Sequence, residues 1–240
     1  MIGDASAKIQ ENRLLALLSP DDLAAIEGHL ELIVLSRGDV LIRPERTIET
    51  VVFPLSGIVS IVAETEDHHR IEIGIIGCEG MTDGSVLAGI DRIPHELFVQ
   101  VAGEGLRIDA EILLKLCDER PSLRNLLARW VHVLGLQTAQ TTVANGGFNV
   151  EARLARWLLM CQDRLGGDQI GLTHEFMGMM LAVRRSSVTL ATQVIEGAGI
   201  IKAERGMITI RNRPALEELA GGSYGAPERE YERLIGSFRD

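Results

Sequence analysis

The hydrophobic period of this chain changes once, near Ile108, and that change limits the folds open to it. From about Ile33 to Ile108 the apolar residues fall in short β-rich runs: IVL, VLIRP, TVVFPLSG, IVSIVAE, RIEIGIIG, HELFVQVAGE and GLRI. Turn-forming stretches such as SRGD and TEDHH separate them. Runs of strand length, spaced about 8–12 residues apart with Gly, Asp and Pro at the breaks, predict a compact antiparallel sandwich or barrel. Val59, Ile61 and Ala63 alternate with Ile58, Ser60 and Val62, so one hairpin is expected to be buried on both faces. Between Gly77 and Gly89 the strand pattern lapses into the glycine-rich stretch CEGMTDGSVLAG.

After Ile108 the pattern is helical. Ile112, Leu113 and Leu116 suggest a short helix, and Pro121 opens a longer one reaching about Ala144. Within it Leu123, Leu127, Trp130, Leu134 and Gln137 recur at alternating three- and four-residue steps, an a/d-like stripe. Such a helix can pack on its own domain or pair with its twin in a dimer. Asn145-Gly146-Gly147-Phe148-Asn149 is expected to break it and to mark a domain boundary. The amino-terminal NRLLALLSPDDLAAIEGHL reads as short helices, with Ser19-Pro20 as a start signal. These readings divide the chain into an amino-terminal domain over 1–120, a helix over 121–145 and a carboxyl-terminal domain over 146–240.

Charge is uneven. Residues 1–144 hold 12 Lys and Arg against 22 Asp and Glu, whereas residues 145–240 hold 12 of each. Residues 181–213 hold six basic and two acidic residues, a positive patch on an acidic body, as expected of a surface that meets a polyanion. The stretch LAVRRSSVTLATQVIEGAGIIKAERGMITI explains the patch. Thr173 is placed to cap a first helix, with Phe176, Met177, Met180 and Leu181 facing inward. Ala182-Val183-Arg184 forms a break before a second helix, whose buried stripe is expected to be Val188, Ala191, Val194 and Ile195. Arg185, Ser186, Ser187, Thr189, Thr192 and Gln193 are expected outside that stripe. A hairpin turning at Glu204-Arg205-Gly206 follows. Two short helices and a hairpin make a winged helix-turn-helix, whose second helix reads the DNA major groove. Arg suits guanine, while Ser and Thr reach bases or phosphates. The expected DNA-contacting residues are Thr173, Arg184, Arg185, Ser186, Ser187, Thr189, Lys202 and Arg205.

LTHEFMGMMLAVRRSSVTLATQVIEGAGII and RLARWLLMCQDRLG closely resemble the recognition segment, and the helix before it, of the Crp/Fnr transcription regulators. The order of segments along nearly the whole chain is similar too. The resemblance implies an α+β fold: an amino-terminal cyclic-nucleotide-binding-like β-jelly roll as sensor, a long dimerisation helix and a carboxyl-terminal winged helix-turn-helix domain. It implies a homodimer on near-palindromic double-stranded DNA, with RNA polymerase as a further candidate partner and an unidentified small-molecule effector. Arg185 falls where the family's cyclic-AMP receptors use an arginine for guanine, but Ser186 replaces a glutamate and Leu190 a second arginine. The target sequence therefore does not transfer.

IIGCEGMTDGSVLAG resembles the start of the family's phosphate-binding cassette. At its end, His95 and Glu96 stand where an arginine and a serine are expected. A carboxylate there repels a cyclic phosphate, so cyclic AMP and cyclic GMP are not the expected effectors. The candidate effector pocket comprises Glu79, Gly80, Met81, His95, Glu96 and Thr138. Gln137 and Thr138 fit equally a polar layer that fixes a dimer's register.

No cofactor is expected. Three widely spaced cysteines, Cys78, Cys117 and Cys161, make neither a disulfide framework nor a zinc or four-cysteine iron–sulfur site. A haem ligand from His68, His69 or Cys78 is conceivable, but a His pair in a polar hairpin tip reads first as a solvated turn. No apolar run reaches the roughly 18 residues of a membrane span, and the first residues do not form a signal peptide, so a cytoplasmic protein without membrane contact is expected. An enzyme is the least supported class, because no nucleophile–base pair or phosphate loop is present. The competing class is a ligand-binding signalling module whose carboxyl-terminal domain binds a protein.

Overall fold

Two short helices open the chain: α1 (Ala5–Lys8) and α2 (Pro20–Ile26). Ser19 caps α2 by accepting from the Asp22 amide at 3.2 Å, and Pro20 occupies the first turn, where its missing N–H costs nothing. The computed structural model describes residues 5–172 and 174–238.

Seven strands follow: β1 (Glu31–Leu35), β2 (Val40–Ile42), β3 (Thr50–Pro54), β4 (Ile58–Glu64), β5 (Arg70–Ile76), β6 (Glu96–Val101) and β7 (Gly103–Asp109). They form two antiparallel sheets, ordered β1-β7-β3 and β2-β6-β4-β5. Val51, Phe53, Leu106 and Ile108 of the first sheet share a core with Val59, Ile61, Ile76 and Leu97 of the second. Ile58 and Ile75, on the other side of β4 and β5, belong to the core of the carboxyl-terminal domain. The hairpin is thus buried on both faces, as its sequence suggests, and it joins the two domains.

Helix α3 (Ala110–Glu119) starts on Asp109, whose Oδ1 accepts from the Glu111 and Ile112 amides. Helix α4 (Pro121–Gly147) lies along the sandwich. Its Leu123, Leu127, Trp130 and Gln137 are buried against this same chain. Most of the a/d-like stripe is therefore intramolecular packing, and a partner helix must use another face. Gln137 clamps α4 to β5: its Oε1 accepts from the Ile75 amide at 2.7 Å and its Nε2 donates to the Ile75 carbonyl at 3.1 Å. The loop after β5 lets α4 approach because it is glycine at two contacts. A Cβ on Gly80 would lie 2.1 Å from Trp130 Cζ2, and one on Gly84 would lie 2.0 Å from Val131 Cγ2.

The helix does not break at Asn145. It continues to Gly147, leaving Phe148-Asn149 as the link to α5 (Val150–Leu165), where Asn149 Oδ1 caps by accepting from the Ala152 amide. Then come β8 (Gln169–Ile170), α6 (His174–Met180), α7 (Arg185–Gly197), β9 (Ile201–Glu204) and β10 (Met207–Ile210). The last two pair as a hairpin, with β8 on the other edge of β10. Helix α8 (Arg213–Ala220) packs on α5, and α9 (Ala226–Leu234) returns to pack on α4. Tyr231 and Phe238 thereby join the core of the amino-terminal domain, stacked edge-on with each other at a centroid distance of 5.1 Å.

Candidate nucleic-acid interface and a sensor-domain cavity

Helix α7 is held by Val188, Ala191 and Ile195, all completely buried, and by Thr192. The sequence pattern puts Thr192 outside and Val194 inside; the structure reverses them, leaving Thr192 2% and Val194 58% exposed. Arg184, Arg185 and Ser186 are exposed, and Ser187 and Thr189 are half-buried. Arg184 occupies the cap position without a side-chain cap hydrogen bond. The first-turn amides of α7 therefore lack a side-chain acceptor beside two guanidinium groups, an arrangement suited to phosphate. Leu190, 63% exposed, stands one turn before Val194 on the outer face, so that face carries an apolar pair that charge counting did not show. Such side chains suit thymine methyl groups. In the hairpin, Lys202 and Arg205 are exposed, with Lys202 Nζ 2.5 Å from Glu204 Oε1. Arg213 has a structural role: it pairs with Asp163 at 2.8 Å and donates to Tyr224 Oη and Gln162 Oε1. Thr173 lies outside the described residues.

The amino-terminal domain contains a cavity of about 400 Å³ between its second sheet and α4. Ile61, Ile73 and Leu97 form the sheet wall, Val131, Leu134, Gly135 and Thr138 the helix wall, and Ile93 and His95 one side. Asp83, Gly84 and Ser85 close the other. Of the residues expected at an effector pocket, His95 and Thr138 line this cavity. The others are engaged elsewhere. Glu79 is fully buried and accepts from Arg164 Nε of α5 at 2.9 Å. Gly80 lies under Trp130, and the Met81 carbonyl accepts from Trp130 Nε1. Glu96 pairs with Arg70. The cassette-like glutamate is thus a clasp between domains, and the acidic group at the cavity is Asp83, which sequence reading did not single out.

A second buried group also spans the domains. Glu72 on β5 accepts from Trp157 Nε1 of α5 and from Ser60 Oγ, each at 2.7 Å. Burial pushes its carboxyl up to about 7, partly offset by those hydrogen bonds and by Arg156 and Arg164. The haem reading finds little support in the geometry. His68 is exposed and bonded to Glu64, whereas Cys78 is buried at the opposite end of β5. Among the described residues, no cluster of His, Cys, Asp and Glu could hold a metal, and no helix is long and apolar enough to cross a membrane.

Residues 152–219 match the Crp-like helix-turn-helix domain. The carboxyl-terminal domain is a Crp-like helix-turn-helix domain. The architecture of the whole chain is that of the Crp/Fnr regulators. FixK2 from Bradyrhizobium japonicum superposes with a TM-score of 0.70 at 14% identity, covering 80% of this chain and 98% of its own. A CRP-family transcriptional regulator from Thermus thermophilus gives 0.66 at 17%, covering 81% and 99%. The c-di-GMP-responsive global regulator CLP of Xanthomonas campestris gives 0.65 at 16%, covering 80% and 99%. No curated protein matches the chain in sequence. The Crp-like domain and these neighbours belong to transcription regulators, not to enzymes. They favour a DNA-binding chain over a signalling module that binds a protein.

Proposed function

We propose that this Crp/Fnr-type regulator acts as a homodimer that reads near-palindromic DNA through α7 and answers to a small molecule held in the amino-terminal cavity. The observation that carries the reading is the uncapped start of α7, exposing Arg184, Arg185 and Ser186 within the Crp-like domain of an otherwise acidic chain. Lys202 and Arg205 of the hairpin add phosphate contacts, and Ser187 and Thr189 help set register. In this reading residues 1–120 are the sensor, 121–145 the dimerisation helix and 146–240 the DNA-binding domain.

The dimer seam is the exposed face of α4, where Ala128, Val131, Gly135, Ala139 and Thr142 recur at heptad-like steps. Val131 and Gly135 belong to both this seam and the cavity wall, so a ligand that moves α4 also moves the seam. Gln137, one residue from cavity-lining Thr138, accepts through its carbonyl from Arg156 of α5. That contact offers a route from cavity to DNA-binding domain, a coupling between two sites. RNA polymerase is the partner proposed for the DNA-bound form.

The test is selection of fragments of the source genome on the purified protein at several salt concentrations. Retention of a palindrome, with affinity falling steeply with salt as phosphates are neutralised, is the expected result. Retention of no sequence, with or without cell extract, would refute the reading.

A further inference from the structure

Resting on the reading of the amino-terminal domain as a sensor, we propose that its cavity takes an uncharged, largely apolar ligand, and that it rejects phosphates and other anions. The volume, about 400 Å³, lies within the range of small-molecule sites. Six of the lining residues, Ile61, Ile73, Ile93, Leu97, Val131 and Leu134, are aliphatic. Among the described residues, no Lys or Arg lines it. Arg70, the nearest cation along β5, is committed to Glu96 and Glu64, and Arg92 points into solvent beside Asp91. An anion entering this space would meet no Lys or Arg, and desolvating it would cost far more than hydroxyl and imidazole contacts return.

Asp83, Ser85 and His95 line the cavity, and among the described residues Asp83 Oδ2, Ser85 Oγ and His95 Nδ1 are buried without a hydrogen-bond partner. Buried groups of this kind are normally satisfied. Asp83 is 9% exposed and has a backbone φ of +27°, a conformation that side-chain-bearing residues seldom adopt. Its Oδ1 is used, accepting from the Ser85 amide at 2.8 Å. Its Oδ2 is buried without a partner, and a carboxyl group in the cavity wall opposes negative charge inside it.

A matched pair of fluorescent probes tests this on the whole protein: N-phenylnaphthylamine, neutral with one N–H, and anilinonaphthalene sulfonate, the same skeleton carrying an anion. Saturable binding of the neutral probe is expected, at least tenfold tighter than the sulfonate, with no competition by cyclic AMP. Ile93→Trp, which fills the cavity from its edge, should abolish binding of the neutral probe. Asp83→Asn should shrink the preference for the neutral probe by about tenfold, through tighter sulfonate binding. Equal binding of both probes, displacement by cyclic AMP, full binding to Ile93→Trp, or an unchanged preference in Asp83→Asn would each overturn the proposal. Melting curves confirm that each variant folds. Because no DNA is present, binding here with no fragment retained in the genomic selection would sink the DNA reading alone, and the converse would sink this one alone.

Discussion

Glu72 lies inside the joint between the two domains, and its titration should register there. Its folded-state pKa of about 7 stands above the ordinary 4.5. The folded protein therefore holds the extra proton between those values, so stability falls as pH rises from about 4.5 to about 7 and levels off above. Ser60 Oγ lies 2.7 Å from both Glu72 Oε2 and Gln100 Oε1 but has one proton to give, so a protonated Glu72 donating to Ser60 would satisfy both contacts. Glu72→Gln should reduce the slope of melting temperature against pH in this window. It should not abolish the slope, because burial also raises Glu228. On α7, Arg185→Ala should weaken binding to the selected DNA site by about 1–3 kcal/mol; unchanged affinity in a titration would remove Arg185 from the base-reading set. The arginines and hydroxyls of this helix were legible from residue type, whereas the placing of Thr192 and Val194 was not. At 100° per residue, position 192 lies roughly 40° from Val188, and 194 roughly 120° away on the other side. Helical angle decided burial there, over the greater hydrophobicity of valine.

At the scale of elements, the two-domain plan was legible because the period changes from two residues to 3.6, and loops cannot imitate either over this length. The partner of α4 was not legible. A stripe of large apolar residues says that a face is covered, but not by what. Here Trp130 and its neighbours are covered by the glycine-rich loop and by α9. The smaller residues opposite, Ala128, Gly135 and Ala139, stay exposed. Gly135→Glu places a charge on that face, and a Cβ there meets nothing within 4 Å of the same chain. It should leave the helix content of the protein unchanged and shift its mass in light scattering from dimer to monomer. A wild-type protein that is already monomeric would refute the proposed seam. The cavity was legible only in part, because Asp83 and Ser85 reach it through loop geometry that has no sequence period.

At the scale of the molecule, the domains are joined by buried polar contacts as well as apolar ones. Arg164 and Glu79 form an ion pair with almost no solvent exposure on either side chain. Removing one partner strands a charge, at a cost of about 3–5 kcal/mol. Arg164→Ala should accordingly lower the melting temperature markedly. It should also change the fluorescence of Trp157, whose indole bonds to Glu72 across the same joint; an unaltered melt would show that the clasp contributes nothing. The return of α9 has a consequence in time as well as in space. Tyr231 and Phe238 complete the core of a domain whose strands begin at Glu31, and the Phe238 carbonyl accepts from Arg13. As the chain leaves the ribosome, its first domain has all its strands early but cannot close its core until residue 238 has been made. The amino-terminal half must wait, incompletely packed, until α9 and Phe238 have followed it.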